Sequence, residues 1–401
     1  MGEYTRTDMQ KRWLVGGLAV GTITLIVGGI AIRSFIAEEK VAGVTSGTTP
    51  WSAKAAERQG KSLSNGRCRG MDVRKLGTLP MQYNDFSMIV PYGLVVGDHV
   101  TPIDHQYFSP TVFHSPRDKY EVRAMADATI VDIGSRAKPG YTEYRLVFSI
   151  SCRLFYYYDL VTSLAPGLTV GTIVKEGEVI GRIGGQTLDF AVWDTTQRLS
   201  GFVHPQSYEE ERWKIHTVDP LEYYTDSLKQ QALTKYLRTI PPVSGKIDYD
   251  IDGRLVGNWF QEGTNGYQGL KRQSLAGYSR THLAIVPNHL QPSVYMASFG
   301  NFAGQFKQLA IRNKNPDPQN VSVATGFVQY DLAEIRYTRE DGREWNGMEF
   351  TRNPKVKMLD GTSGCALYQL LADRRLQAET FSDTTCVTVK GFTSRAIIYT
   401  R

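Results

Sequence analysis

The sequence has only four cysteines in 401 residues, and none stands in a C-x-x-C pair, which excludes a zinc knuckle built on paired thiolates. It contains no Gly-x-Ser-x-Gly elbow, no P-loop and no dinucleotide-type glycine pattern, so the common nucleophile and phosphate cradles are missing. No block of Lys and Arg occurs. The 46 basic and 40 acidic residues leave a net charge of +6 spread along the chain. That distribution argues against nucleic acid as a partner and at most favours weak attraction to anionic wall polymers or lipid head groups.

What the sequence does have is aromatic rings and glycine. Aromatics make up 11% of the residues, 22 of them Tyr, alongside 38 Gly, a composition that favours sheets joined by tight turns. Positions 13–32 read "WLVGGLAVGTITLIVGGIAI" without a charge, and Phe35 and Ile36 follow a single Arg33. As a helix rising about 1.5 Å per residue, this run spans the hydrocarbon layer, and it is too long for the apolar core of a cleavable signal peptide. Arg6, Lys11 and Arg12 precede it, which places 1–12 as a cytoplasmic tail, 13–36 as a transmembrane anchor and the bulk outside the membrane.

Outside the membrane disulfides are permitted. Cys365 and Cys386 flank an apparent hairpin and are expected to pair; Cys68 and Cys152 are a candidate second pair. Positions 37–70 are small and polar, the composition of a linker, with room for a short helix over 53–59. Short apolar runs over 71–200 read as strands: in "YRLVFSI" Leu146, Phe148 and Ile150 alternate with Arg145 and Ser149, the period of a half-buried strand. Within the connector 201–240, Leu228, Ala232, Tyr236 and Leu237 recur at helical spacing behind Thr225 or Asp226 as N-cap and before a Pro pair, which predicts a helix over 226–238. From 241 to 401 only strand-like runs occur, about eight of them, and a closed antiparallel barrel removes their exposed edges most economically. The expected fold class is thus mainly β, with an N-terminal transmembrane helix, a β-sheet domain, a short connecting helix and a C-terminal barrel-like domain.

Residues 87–195 carry an ordered series of segments: "VRAMADATIVDIG", "YYYDLVTSL", "VKEGEVIGRIGG" and "TLDFAVWD". Together they resemble the β-sheet core of the lysostaphin-type zinc peptidases, the duplicated hybrid motif, with Ala128 where that family usually has a Gly. The resemblance implies a zinc held by a His and an Asp near the start and by the second His of a His-x-His strand, with further histidines for proton transfer. This sequence departs from that set. The His-x-His pair corresponds to Thr187 and Asp189, and the His of the Tyr-x-His segment corresponds to Leu160. In "GDHVTPIDHQYF" the residues at hand are His99, Asp104 and His105, with four residues between His99 and Asp104 instead of the three-residue spacing of the motif. His99 or His105 with Asp104 and Asp189 would make a one-histidine, two-carboxylate zinc site, a weaker Lewis acid with no spare imidazole. The other reading of the same residues is a hydrogen-bonded polar loop at the mouth of a cleft.

In "GRLVGNWFQEG" the Gly257-x-Trp259 pair looks like the entry motif of lipocalin-type barrels, in which the Trp meets a late Arg; Arg395 and Arg401 are the candidates. Phe155 to Tyr158 alternate across a strand, so two rings face each way, and Tyr158 beside the cleft would offer a stacking platform for sugar. His282 and His289 read as surface or satisfied histidines. The sequence therefore predicts a non-catalytic, membrane-anchored envelope protein without a cofactor. Its cleft residues His99, Asp104, His105, Tyr158 and Asp189 would bind a cell-wall polymer, glycan or peptide, or a partner envelope protein. The alternatives are a zinc metalloendopeptidase and a small-ligand carrier in the barrel.

Overall fold

The computed structural model describes residues 51–270 and 275–401. The expected anchor at 13–36, the tail before it and the first part of the linker lie outside these residues. Among the described residues no helix is long and apolar enough to cross a membrane.

The chain begins with helix α1 (Ala53–Leu63), capped by the Ser52 hydroxyl. Eleven strands follow: β1 (Phe86–Val90), β2 (Gln106–Pro110), β3 (Tyr120–Arg123), β4 (Ala128–Lys138), β5 (Tyr141–Ser149), β6 (Leu154–Val161), β7 (Ser163–Leu164), β8 (Ile173–Val174), β9 (Val179–Ile183), β10 (Leu188–Asp194) and β11 (Thr217–Val218). An antiparallel sheet runs β1-β2-β10-β6-β5-β4-β8, with β11 paired to β10, and β3-β9-β7 form a second, smaller sheet. The four segments that carried the family resemblance supply β3 and β4, β6 and β7, β8 and β9, and β10.

Period-two alternation decides the faces. Leu146, Phe148, Tyr156, Tyr158, Phe190 and Val192 point into one core with Val122, Ile180 and Ile183 of the small sheet. Val147, Phe155, Tyr157, Ala191 and Trp193 point the other way and are covered by Leu199, Phe202, Tyr208 and Phe260. Both faces of the large sheet are therefore buried. All four rings from Phe155 to Tyr158 are at most 1% exposed, so no tyrosine pair of β6 stands out as a platform.

Within the stretch read as a linker, α1 lies against the β5–β6 turn. A side chain at Gly60 would put its Cβ 1.8 Å from the Cys152 carbonyl oxygen, so only glycine fits there. The Cys68–Cys152 disulfide closes the same junction, and Cys365–Cys386 also forms. The connecting helix α2 (Asp226–Leu233) is capped by Thr225, one of the two caps expected, and ends five residues before the predicted 238. Beyond it the backbone turns extended to satisfy the open edge of β1: the Ile89 amide donates to Lys235 O at 2.8 Å and the Leu237 amide to Ile89 O at 3.2 Å.

Strands β12 (Gly257–Gln261), β13 (His282–Pro287), β14 (Tyr295–Phe302), β15 (Gln305–Ile311) and β16 (Phe327–Ala333) lead to a two-stranded ribbon, β17 (Ile335–Thr338) with β18 (Lys355–Met358). The chain then returns through β19 (Gly364–Leu371), β20 (Arg375–Ser382) and β21 (Ile397–Thr400). The eight strands other than the ribbon close an antiparallel barrel, β21 pairing back to β12. Trp259, Leu283, Phe299, Tyr330, Tyr368, Leu376 and Tyr399 lie in one apolar core, which also takes in Met88, Val90, Ile103 and Tyr107 of the first sheet region. The barrel and the sheet thus share buried surface.

Candidate functional site

The charged side chains of the first region meet on the sheet face that looks toward the barrel. Asp189 of β10 sits opposite Tyr107 of β2 on one side and Asp159 of β6 on the other. His105, one residue before β2, is the hub. Its Nδ1 is 3.3 Å from Asp104 Oδ1, and its Nε2 is 3.3 Å from both the Tyr107 hydroxyl and Asp189 Oδ2. The ring of His99 lies 6.0 Å from that of His105, edge to face. A barrel residue fixes this loop: Gln308 of β15 accepts from the Gly97 amide at 3.0 Å and donates to the Gly97 carbonyl at 2.9 Å.

Two of the buried carboxylates, Asp104 and Asp159, have a countercharge from the chain itself. Arg145 Nε donates to Asp159 Oδ2 at 2.9 Å, and Arg136 completes a forked pair with the same carboxylate. Lys214, which is 1% exposed, places its ammonium 3.4 Å from Asp104 Oδ2. Burial opposes the charge of Asp104, but Lys214, the His105 hydrogen bond and Arg145 outweigh it and hold the carboxyl well below the usual carboxylate range. Asp159 is likewise held low by Arg145 and Arg136 against its burial. Asp189 behaves in the opposite way. Burial pushes its carboxyl up to about 7 despite His105, and its Oδ1 accepts no hydrogen bond. His99 is pushed down to about 3, first by burial and then by the charges of His105 and Lys214.

Of the residues expected at the cleft, His99, Asp104, His105 and Asp189 come together, and the first three line it. Tyr158 does not join them. It lies on the opposite face, in the core, and its hydroxyl donates to Arg123 O at 2.7 Å. Tyr157 is the β6 ring on the site face, with the Arg145 guanidinium 5.0 Å above it. Asp159, the residue before Leu160, is the β6 member of the cluster. Leu160 instead bulges out of β6 at φ 66°. Thr187 is buried one residue before β10. Asp159 was not among the residues the sequence singled out. Arg136, Arg145 and Lys214 had no motif to mark them, because a lone cation in an alternating strand reads as a solvated face.

The donors do not fit a zinc ion. Both nitrogens of His105 are engaged, and an added dication at Asp104 or Asp159 would face Lys214, Arg136 and Arg145 at close range. Among the described residues no group of three or more His, Cys, Asp or Glu is arranged to hold a metal.

The cluster forms one wall of a cleft of about 1240 Å³ between sheet and barrel. Trp213, Tyr267 and Tyr278 add partly exposed rings, and Glu209, Glu210 and Glu211 line the rim. Burial, with Asp104 nearby, raises Glu211 to about 7. At the barrel base Arg401 lies 3.9 Å over the Trp259 ring, and its guanidinium donates to Val256 O at 2.7 Å, to Ile251 O at 2.8 Å and to Arg254 O. Arg395 sits elsewhere, over Phe381. His282 and His289 are buried, not at the surface. His282 Nε2 is 2.9 Å from Tyr267 O, and His289 Nε2 is 3.3 Å from the Tyr337 hydroxyl.

No protein-family model and no curated protein matches this chain. Among solved structures it is similar to Helicobacter pylori Csd3 in an orthorhombic crystal, at 20% identity over 40% of this chain and 39% of that one, with a TM-score of 0.27. It is also similar to the antimicrobial peptidase lysostaphin from Staphylococcus simulans, at 13% identity over 63% of this chain and 98% of that one, with a TM-score of 0.25. The hexagonal crystal of Csd3 gives 24% identity over 31% of each chain and a TM-score of 0.23. The chain thus spans well under half the length of Csd3, and these are weak likenesses of fold.

Proposed function

We propose that this chain is a non-catalytic envelope protein that binds a cell-wall glycan or peptide, or a partner envelope protein, in the cleft between its sheet and its barrel. The observation that carries this reading is the internal charge balance of the cluster. Asp104 and Asp159 are neutralised by Lys214, Arg145 and Arg136. The one imidazole at the hub is held on both nitrogens. A water nucleophile needs a free base within hydrogen-bond reach; Asp104, Asp159 and His105 are committed to one another or to the cations, and Asp189, whose Oδ1 accepts no hydrogen bond, is buried and does not line the cleft. The run at 13–32, without a charge, supports an anchor over 13–36 with its N-terminus in the cytoplasm and the bulk outside, where the two disulfides are stable.

The barrel carries less of the function than its closure suggests. Its interior is filled with Trp259, Phe299, Tyr330 and Tyr368. The cavity at its mouth, lined by Leu283, Phe299, Ala378 and Tyr399, holds about 220 Å³, below the range of about 300–1,000 Å³ usual for a small-molecule site. The lipocalin-like pair of Trp259 and Arg401 then serves as a plug at the barrel base.

The test uses the full chain in detergent micelles with purified bacterial wall material. Retention that a chelator leaves unchanged, with no soluble fragments released, is the expected result. Stoichiometric zinc together with fragment release that a chelator stops would replace this reading with a zinc metalloendopeptidase.

A further inference from the structure

No run of Lys and Arg marks the chain, yet its net charge is unevenly placed once it is summed by region. Residues 51–75 hold seven basic side chains against two acidic ones, which is five of the six net positive charges. Residues 76–401 hold 34 of each sign and balance to zero.

The fold gathers most of these cations on one surface. Successive residues of a helix turn by about 100°, so Lys54, Arg58 and Lys61 of α1 fall within a stripe about 60° wide. All three are exposed. The buried residues of the helix, Ala56 and Gly60, lie on its other side, where Gly60 meets Cys152. Past the helix the chain folds back on Ser64, whose carbonyl accepts from the Arg67 amide at 3.0 Å and whose hydroxyl accepts from the Cys68 amide at 3.1 Å. That turn and the Cys68–Cys152 disulfide hold Arg67 and Arg69, both exposed, beside the end of α1. Arg212 of the connector, also exposed, donates to the Ser62 hydroxyl at 3.0 Å and adds a sixth cation. Among the described residues the only ion pair that any of the six makes is Lys61 with Glu57, at 2.7 Å. Unpaired cations set side by side repel one another and build a positive potential that an anionic surface relieves.

The place of this surface in the chain says which anion it meets. Trp51 leads directly into α1, and fourteen residues, 37–50, separate it from the run read as an anchor. Fourteen residues reach at most about 50 Å whatever path they take. An anchored chain therefore keeps α1 within reach of its own bilayer, and the tether raises the effective concentration of head groups above that of a free polymer.

We propose that the basic surface of α1 and the 64–69 turn docks on the anionic phospholipid head groups of the membrane that carries the chain. This rests on the anchor proposed above and adds to it a fixed side of the folded body that faces the bilayer. Each basic side chain close to an anionic bilayer favours docking about five-fold, and salt screens the attraction beyond about 10 Å.

The test reconstitutes the full chain in vesicles, with a donor dye on Ser62→Cys and an acceptor dye on the head groups; the native cysteines are all in disulfides, so the new thiol alone is labelled. Energy transfer is expected to be higher in vesicles containing phosphatidylglycerol than in pure phosphatidylcholine, and to fall to the neutral-lipid value at about 0.5 M salt. Lys54→Gln with Arg58→Gln and Lys61→Gln should lower the docked-to-free ratio about 100-fold at an unchanged thermal melt. Equal transfer in the two lipids, or a preference for the anionic one that survives the triple glutamine variant, overturns this inference while the anchor stands. Binding of soluble glycerol teichoic acid to the same surface with no dependence on lipid charge assigns the surface to the wall and also overturns it. Release of the chain from the vesicles by an alkaline wash removes the anchor, and this inference with it.

Discussion

The site face of the first sheet and the inside of the barrel both enclose an arginine beneath aromatic rings, and they neutralise it by different means. Arg145 faces a carboxylate on the next strand and shares it with Arg136, below the ring of Tyr157. Arg401 is held mainly by backbone carbonyls and by the face of Trp259, with Asp250 further off at 3.7 Å. The first arrangement is a set of interdependent ions whose charge state decides whether it holds together. In the second the hydrogen-bond acceptors are carbonyls that cannot titrate, and the carboxyl of Asp250, raised by burial to about 6, stands outside hydrogen-bond distance. A buried charge therefore points to a former or present site only where its partners are themselves ionisable.

The covalent ties of the two regions give the largest expected difference. Cys68–Cys152 closes a loop of 84 residues in the sheet region and Cys365–Cys386 one of 21 in the barrel. Chain entropy then gives about 4.5 kcal/mol for the first and about 3 kcal/mol for the second, read as urea midpoints of the two Cys→Ser pair variants. A larger loss from the barrel pair would reverse the ranking.

Double-mutant cycles test the ion argument directly. Arg145→Ala should cost about 3 kcal/mol, with a coupling to Asp159→Asn above about 1 kcal/mol. Arg401→Ala should couple to Asp250→Asn by less than about 0.5 kcal/mol, since carbonyls do most of the holding. Equal couplings would erase the contrast.

A pH titration sharpens it. The Asp189 carboxyl is pushed up to about 7 in the fold from 3.8, so the unfolded chain releases that proton first. Its penalty grows from about pH 4 upward and is complete above about 7. Asp189→Asn is expected to stabilise the protein at about pH 8 by roughly 1–3 kcal/mol and to make no difference below about pH 4. The buried histidines act in the other sense: His99, His282 and His289 are each held to about 3, so their contribution is present above about 6.5 and lost as pH falls toward 3. Thermal melts across pH would read both. The smallest effect is the cap of α2: Thr225→Ala removes the bond to the Leu228 amide and should cost about 1 kcal/mol.

Much of the architecture was legible because alternation and turn residues are local. The strands of "YRLVFSI" and "TLDFAVWD", the closed barrel and the Thr225 cap follow from such patterns. What alternation could not convey is which face another element covers. Tyr158 was assigned to a cleft because period two divides a strand into two faces without saying that both are buried. Helix α2 was read too long for a related reason, since the edge of β1 takes the backbone of Lys235 and Leu237 and the helical spacing of Tyr236 and Leu237 is incidental. At the candidate site, His99, Asp104, His105 and Asp189 were named from the family comparison, and the fold brings them together. Asp159 stands beside the leucine that the comparison pointed to, whereas Lys214 comes from a part of the connector in which no period was read.

The close seat of Gly60 on Cys152, fastened by the neighbouring disulfide, has a mechanical consequence. Tension applied from the N-terminal side would pass along α1 to Cys68 and cross to the turn between β5 and β6 through a covalent joint, bypassing the chain between the two cysteines. It would spread across the middle of the sheet instead of peeling the sheet from its rim.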